Sequence, residues 1–203
     1  MSIHWYFPSN EPIIRPGQLH GELDARRAGA GHVLKVGDCY WMYYWGTGSD
    51  GFNRILLATA SVDRPTDWQA QGAVLEHQPD APYNAVGPSF PWVVPREDTT
   101  WLMVFCGWGE PRLNGKLPNT TGVAFSEDGG SSFQPALGQA ALALDREYDH
   151  EGTGSACVIE DSGTLRMYYT SLGAYFQKPE GVETGHGETI PRIGVAYAES
   201  DYG

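Results

Sequence analysis

The sequence predicts an all-β fold made of repeated four-stranded antiparallel blades, the arrangement of a β-propeller. Three observations carry that expectation. The 203 residues include 26 Gly, 14 Pro, 7 Trp and 11 Tyr, which fits many turns between aromatic-rich strands, and no long stretch has a helical period. One phrase occurs three times: GAGHVLKVGDCYWMYYWGTG from Gly29, VGPSFPWVVPREDTTWLMVFCGWG from Val86 and GTGSACVIEDSGTLRMYYTS from Gly152. The glycines that open it, Gly31, Gly87 and Gly154, lie 56 and 67 residues apart, too long for most helical solenoids and suited to a blade with variable loops.

Taken in order, residues 1–28 form a lead-in. IHWYF is a candidate strand that joins the sheet late, and EPIIRPGQLHGELDARR reads as a loop broken by Pro12, Pro16 and Gly17. The blades are expected at 29–77, 83–144 and 149–203. In each, a strand A, a turn and an aromatic strand B come first. The third shows this most clearly, with Ala156–Ile159, a turn of Asp161, Ser162 and Gly163, then Leu165–Thr170, the pattern of an antiparallel hairpin. Strand C follows in RILLATAS from Arg54, TGVAFSED from Thr121 and RIGVAYAES from Arg192. The first two continue past Trp68 or Phe133 to short apolar strands D at 73–75 and 140–144; the third stops after C. Residues 78–82 and 145–148 are too short to be interdomain linkers, so the blades read as a single domain.

The formal net charge of −12 argues against nucleic acid or an anionic membrane as partner and favours a neutral substrate. No stretch is long enough to span a bilayer, and MSIHWYFPSN lacks a basic region followed by an apolar run, so a cytoplasmic location is expected. Cys39, Cys106 and Cys157 are scattered through predicted strands and read as small buried thiols. No metal and no cofactor is expected, since clustered Cys, HxH and HExxH spacings are missing.

In an antiparallel meander, successive loops alternate between the two ends of the sheet. The segments leading into strand A therefore share one end with the long B-to-C loops at 46–53, 108–119 and 175–191. That end gathers Asp24, Arg26, Arg27, Asn84, Trp108, Asp149, His150, Glu151 and His186, and a binding site belongs there. The other end carries short acidic turns. One of them, Ser126, Asp128, Gly130, Ser132 and Phe133, fits S-x-D-x-G-x-[ST]-[WF] and resembles the Asp-box of sialidases and related propellers, a motif that holds its own turn together.

The phrases WMYYWGTG, WLMVFCGWG and RMYYTSLG, followed by RILLATAS, TGVAFSED and RIGVAYAES, resemble the five-bladed propellers of family 43 and family 32 glycoside hydrolases over most of 29–203. The resemblance implies cleavage of a glycosidic bond in an oligo- or polysaccharide between two carboxyl groups, one protonated and one ionised. It implies a base or nucleophile from the first blade, a further Asp from the third and an acidic Glu from a fourth. Asp24 in ELDARR and Asp149 and Glu151 in YDHEGTG are the candidates here. The family's aspartate stands one or two residues before strand A, where the expected strand starts place Ala30 and Thr153. Two further blades are also implied, so the chain reads as roughly the first three blades of a longer enzyme, with open sheet edges suited to self-association.

For the carbohydrate partner, Arg26 and Arg27 offer forks to hydroxyls or a carboxylate, Trp108 a stacking surface, and Asn84, His150 and His186 hydrogen bonds. Each has a structural alternative. Asp149 or Glu151 caps the strand or pairs with Arg146, Asp24 pairs with Arg26 or Arg27, Trp108 caps the sheet, and Asn84 satisfies a turn. Two other functions stay open: a phosphorylase whose phosphate meets Arg26, Arg27, Arg112 or Lys116, and a carbohydrate-binding propeller without catalysis. A sialidase would need an arginine triad that this end lacks.

Overall fold

The computed structural model describes residues 3–6, 9–97, 99–110, 119–136, 138–177, 179–181 and 189–201. Among these residues eleven strands form three antiparallel sheets. The first is β1 (Arg27–Val36), β2 (Cys39–Thr47), β3 (Asn53–Ser61) and β4 (Gln69–Leu75). The second is β5 (Gly87–Val94), β6 (Trp101–Trp108), β7 (Asn119–Ser126) and β8 (Gln134–Pro135). The third is β9 (Gly152–Asp161), β10 (Thr164–Gln177) and β11 (Thr189–Asp201). Each is a meander in sequence order, as expected, and the third has three strands. Ser162 and Gly163 both take positive φ (55° and 82°) and close the β9–β10 hairpin in two residues, a type I′ turn whose twist matches the strands.

The register makes the repeat sharper than the glycine spacing does. Arg27 pairs with Thr47, Gly87 with Trp108 and Gly152 with Leu172, so these three residues open the blades. Each strand A then has a bulge near its start, between Ala28 and Gly31, Ser89 and Trp92, and Thr153 and Ala156, one pair later in blade 2 than in the other two. Gly31 follows its bulge whereas Gly87 precedes its own, so aligning the two by glycine shifts blade 1 by four positions. The glycines answer different needs. A Cβ on Gly87, whose φ is +118°, would stand 2.1 Å from the carbonyl oxygen of Asn53, and one on Gly152 would stand 2.8 Å from that of Asn119. Asn53 and Asn119 open strand C of the preceding blade, so these glycines admit the neighbouring backbone at each seam.

The blades pack face to face. Tyr43, Ile55 and Leu57 of blade 1 meet Val93, Trp101, Met103 and Phe105 of blade 2, and the opposite face of blade 2, with Leu102 and Val104, meets Val158 and Leu165 of blade 3. Burying each such side chain contributes about 1.5–3 kcal/mol. The far face of blade 1 (Met42, Tyr44, Leu56, Ala58) is covered by Ile14, Leu19 and Leu23 of the lead-in. On β11, Ile193, Val195 and Tyr197 alternate along one exposed face.

Two local expectations are corrected. Residues 3–6 form no strand, and Ile3, Trp5 and Tyr6 are exposed. Strand D of blade 2 is β8 at Gln134–Pro135 rather than 140–144. The Asp-box decides this. Ser126 Oγ accepts from Gly130 N–H at 2.8 Å, Asp128 accepts from the Ser132 N–H and hydroxyl at 2.9 and 2.7 Å, and Phe133 is driven into the core against Tyr43. With Phe133 anchored there, the next two residues lie beside β7, and Ala141 reaches it only through one bond to the Thr121 carbonyl.

Candidate functional site

The lead-in and the B-to-C loop of blade 1 meet at one end of the sheets, where Ser49 N–H donates to the Glu22 carbonyl and Asn53 N–H to that of Val86. Every blade opens there in the same way. The N–H groups of Arg26, Val86 and Glu151 donate to the carbonyls of Thr47, Trp108 and Leu172 at 2.9, 2.9 and 3.0 Å, the first two at the end of strand B and the third within β10. The three strands A are innermost: Gly31, Phe90 to Trp92 and Ser155 to Cys157 line one cavity of about 440 Å³.

Two residues before each of these opening bonds stands a fully buried polar side chain: Asp24, Asn84 and Asp149. Asp24 Oδ2 accepts the Tyr44 hydroxyl at 2.8 Å, and Oδ1 accepts Gly17 N–H at 3.2 Å. Asp149 Oδ2 accepts the Tyr169 hydroxyl at 3.0 Å, Oδ1 accepts Arg146 N–H at 3.1 Å, and the Arg146 guanidinium lies 3.7 Å from Oδ2. Both tyrosines stand 20 residues after their carboxylate, at the same position of strand B. Burial first, then the carboxylate, holds both phenols above the usual tyrosine range, so they donate. Blade 2 has Asn84 and, in the tyrosine's place, Phe105; there Asn84 Nδ2 reaches Gln78 at 3.5 Å and its Oδ1 is buried without a partner among the described residues.

His20 extends the first of these braces. Its Nε2 accepts Gly72 N–H at 3.1 Å, which makes Nδ1 the protonated nitrogen that meets the Tyr44 oxygen at 2.7 Å. Burial lowers the His20 pKa against the opposing pull of Asp24, so the neutral ring is the stable form. Neither Tyr44, Tyr169 nor His20 is singled out by sequence reasoning, although the equal distance from ELD and YD to the second Tyr of MYY is a readable signal.

Between blades 1 and 2 lies a second cavity of about 440 Å³, lined by Arg26, Arg27, Trp45, Thr47, Asn53 and Trp108 together with Gly51 and Val86. Three of the sequence candidates meet here: Arg26, Arg27 and Trp108. Trp108 is fixed by its Nε1–H on the Ser89 hydroxyl, and the Thr47 hydroxyl donates to Asn53 Oδ1 at 2.7 Å. Glu151 occupies in blade 3 the position of Arg26 in blade 1 and is partly exposed. Exposed His150 donates its Nδ1–H to the Glu147 carbonyl at 2.9 Å, which sets Nε2 3.6 Å from Glu151 Oε1. The structure thus separates the acidic candidates into two enclosed carboxylates and one open one. His186, Arg112 and Lys116 lie outside the described residues. Among the described residues no group of three His, Cys, Asp or Glu is placed to hold a metal ion, and no helix is long and apolar enough to cross a membrane.

No protein-family profile matches the chain. By sequence it is similar to an uncharacterized protein of Mycobacterium tuberculosis (strain CDC 1551 / Oshkosh), 27% identical over 175 residues that cover 82% of this chain and 55% of that protein. By structure it is similar to a glycoside hydrolase at 18% identity and TM-score 0.60, covering 86% of this chain and 56% of the other. A family 117 glycoside hydrolase of Zobellia galactanivorans matches at 12% identity and TM-score 0.58 over 84% and 52% of the two chains. A family 43 β-xylosidase/α-arabinofuranosidase from a compost microbial metagenome matches at 14% and 0.52 over 81% and 45%. The chain therefore has the all-β blade fold of the propellers found among glycoside hydrolases, and it spans about half the length of the proteins it matches.

Proposed function

We propose that this chain supplies part of the substrate-binding end of a glycoside hydrolase, with Glu151 as the carboxylate it presents for acid/base chemistry on a glycosidic bond. The position of Glu151 carries the reading. It directly precedes β9, close to where the family resemblance expects the third blade's carboxylate, and it is partly exposed beside a histidine nitrogen. Asp24 and Asp149 are positioning residues in this scheme. Each stands two residues before a side chain of the site, Arg26 or Glu151, and fixes the turn that carries it through a tyrosine hydroxyl and a backbone N–H. Arg26, Arg27 and Trp108 hold the sugar, and Asn84 serves as the blade 2 counterpart of the braces.

A carbohydrate-binding protein without catalysis is the second reading. It is favoured by one observation: the other two candidate carboxylates of this end are enclosed and hydrogen-bonded. Glu151→Gln separates the two readings. In the full native polypeptide, screened on aryl glycosides and titrated with the responding sugar, a hydrolase loses roughly 10²–10⁴ in turnover while sugar affinity changes little. Product formation unaffected by the substitution would remove Glu151 from the chemistry. Sugar binding without product in the unaltered protein would favour the second reading.

A further inference from the structure

The geometry points to an anionic carbohydrate, a sugar carrying a carboxylate or a phosphate, as the occupant of the cleft between blades 1 and 2. This deepens the carbohydrate reading above and rests on it. The protein carries a formal charge of −12, and its other arginines are mostly spent on carboxylates: Arg15 on Glu11, Arg54 on Asp50 and Glu76, Arg64 on Asp67, Arg96 on Glu160, Arg146 on Asp145, Arg166 on Asp161 and Glu199. Arg26 and Arg27 are exposed, line the same cleft, and have no carboxylate partner among the described residues. Asp50, on the loop that closes the cleft, is engaged by Arg54 at 2.6 Å and held at a pKa of about 2 by that bond.

The rest of the lining has the same polarity. Among the described residues no Asp or Glu lines the cleft. The Thr47 hydroxyl occupies Asn53 Oδ1, which leaves the Asn53 amide as a donor. A neutral sugar presents hydroxyls that must donate as well as accept, and this lining offers them few acceptors. An oxyanion is acceptor-only and suits guanidinium forks and an amide N–H.

The repeat supplies an internal control. The positions of Arg26 and Arg27 are Val86 and Gly87 in blade 2 and Glu151 and Gly152 in blade 3. Blade architecture therefore does not call for arginine at either. Room is also kept for one of them: a Cβ on Gly51 would lie 3.2 Å from Arg26 Nη1.

The test titrates the protein with matched methyl glycosides of neutral hexoses, uronic acids and hexose 6-phosphates in gluco, galacto and manno configurations. The expected result is tighter binding of at least one anionic sugar than of its neutral counterpart. That preference should fall roughly ten- to hundredfold for each of Arg26→Gln and Arg27→Gln, with the circular dichroism and Tm unchanged. A response to uronic acids assigns a carboxylate; a response to sugar phosphates assigns a phosphate. Equal binding of neutral and anionic sugars, or anion binding indifferent to both substitutions, overturns the inference and leaves the carbohydrate reading intact. Failure of every sugar, neutral ones included, overturns both.

Discussion

Removing one oxygen atom from Tyr44 tests the brace that holds the end of blade 1 proposed to bind sugar. In Tyr44→Phe, Asp24 keeps only the Gly17 N–H at 3.2 Å, and His20 Nδ1–H loses its acceptor. Asp24 is fully buried, so water does not replace the lost donor. A hydrogen bond to a charged group is worth about 1.5–3 kcal/mol and an orphaned neutral donor about 1 kcal/mol or more, which puts the cost near 2–4 kcal/mol. For a chain of this size that is a fall in Tm of roughly 5–12 °C. Tyr169→Phe should cost less, because Asp149 Oδ2 retains the Arg146 guanidinium at 3.7 Å. Blade 2 shows what the pair becomes when both partners change together: Asn84 with Phe105. The double variant Asp24→Asn/Tyr44→Phe should therefore be destabilised by at least about 1 kcal/mol less than the sum of the single variants. Urea unfolding at pH 7 of the four proteins in the cycle measures this. A Tyr44→Phe cost below about 0.5 kcal/mol, or strict additivity in the double variant, would refute the brace.

Three further outcomes follow from the same structure. His20 and His32 each accept a backbone N–H, from Gly72 and Val93, and burial holds both below the ordinary imidazole value. Their contribution to stability is thus complete above about pH 6.5 and is lost as pH falls from there toward the folded-state values, with a slope of at most about 1.4 kcal/mol per pH unit for each proton; urea midpoints that stay flat from pH 6.5 to 5 would contradict this. Gly87→Ala must move a Cβ away from the Asn53 carbonyl at 2.1 Å and adopt φ +118°, a cost of about 2–6 kcal/mol. Gly37→Ala, at φ +57° in open space, should cost only about 1–2 kcal/mol, and equal thermal shifts for the two would deny the tight seam. The Cys106 thiol, pushed up to about 12 by burial against a small opposing pull from Ser89, should resist iodoacetamide in the native protein, while the partly exposed Cys39 and Cys157 are alkylated; mass spectrometry of the native digest decides.

Much of the fold is legible in the sequence because the signals that specify it are local. The alternation in WMYYWGT and RMYYTS, the Ser162–Gly163 turn and the Asp-box are each set within a few residues, and each forms as read. What is misread depends on contacts between blades. Gly87 faces a carbonyl of the preceding blade and Gly31 does not, so glycine spacing gives the wrong register for strand A. Strand D of blade 2 is placed by Phe133, whose N–H donates to Val74 of blade 1. The site divides in the same way. Its end of the molecule follows from meander topology alone, but the pairing of Arg26, Arg27 and Trp108 with Thr47 and Asn53 in one cleft requires two blades to be docked. Nor does sequence reveal that Asp149 is enclosed while Glu151, two residues on, is open.

That difference between neighbours bears on how a propeller of this kind divides its acidic residues. A carboxylate that donates to or attacks a sugar must change its protonation or bonding during turnover, whereas one that holds a loop must not. Asp149 is buried and accepts a phenol and a backbone N–H beside a guanidinium, so each of its oxygens is spent on the turn it anchors. Glu151 has the opposite surroundings, with partial exposure and an imidazole nitrogen at 3.6 Å. Blade 1 repeats the enclosed member as Asp24 and replaces the open one with Arg26, two residues on in both blades. Once the brace is fixed, the residue two positions later can vary in charge without disturbing the blade, and Arg26, Val86 and Glu151 vary in charge at that position. On this logic Arg26→Glu should leave stability within about 0.5 kcal/mol, as expected of an exposed site away from the core, while abolishing any preference for anionic sugars. A large loss of stability in Arg26→Glu would mean that the second position is part of the brace, and the separation of holding from chemistry would fail.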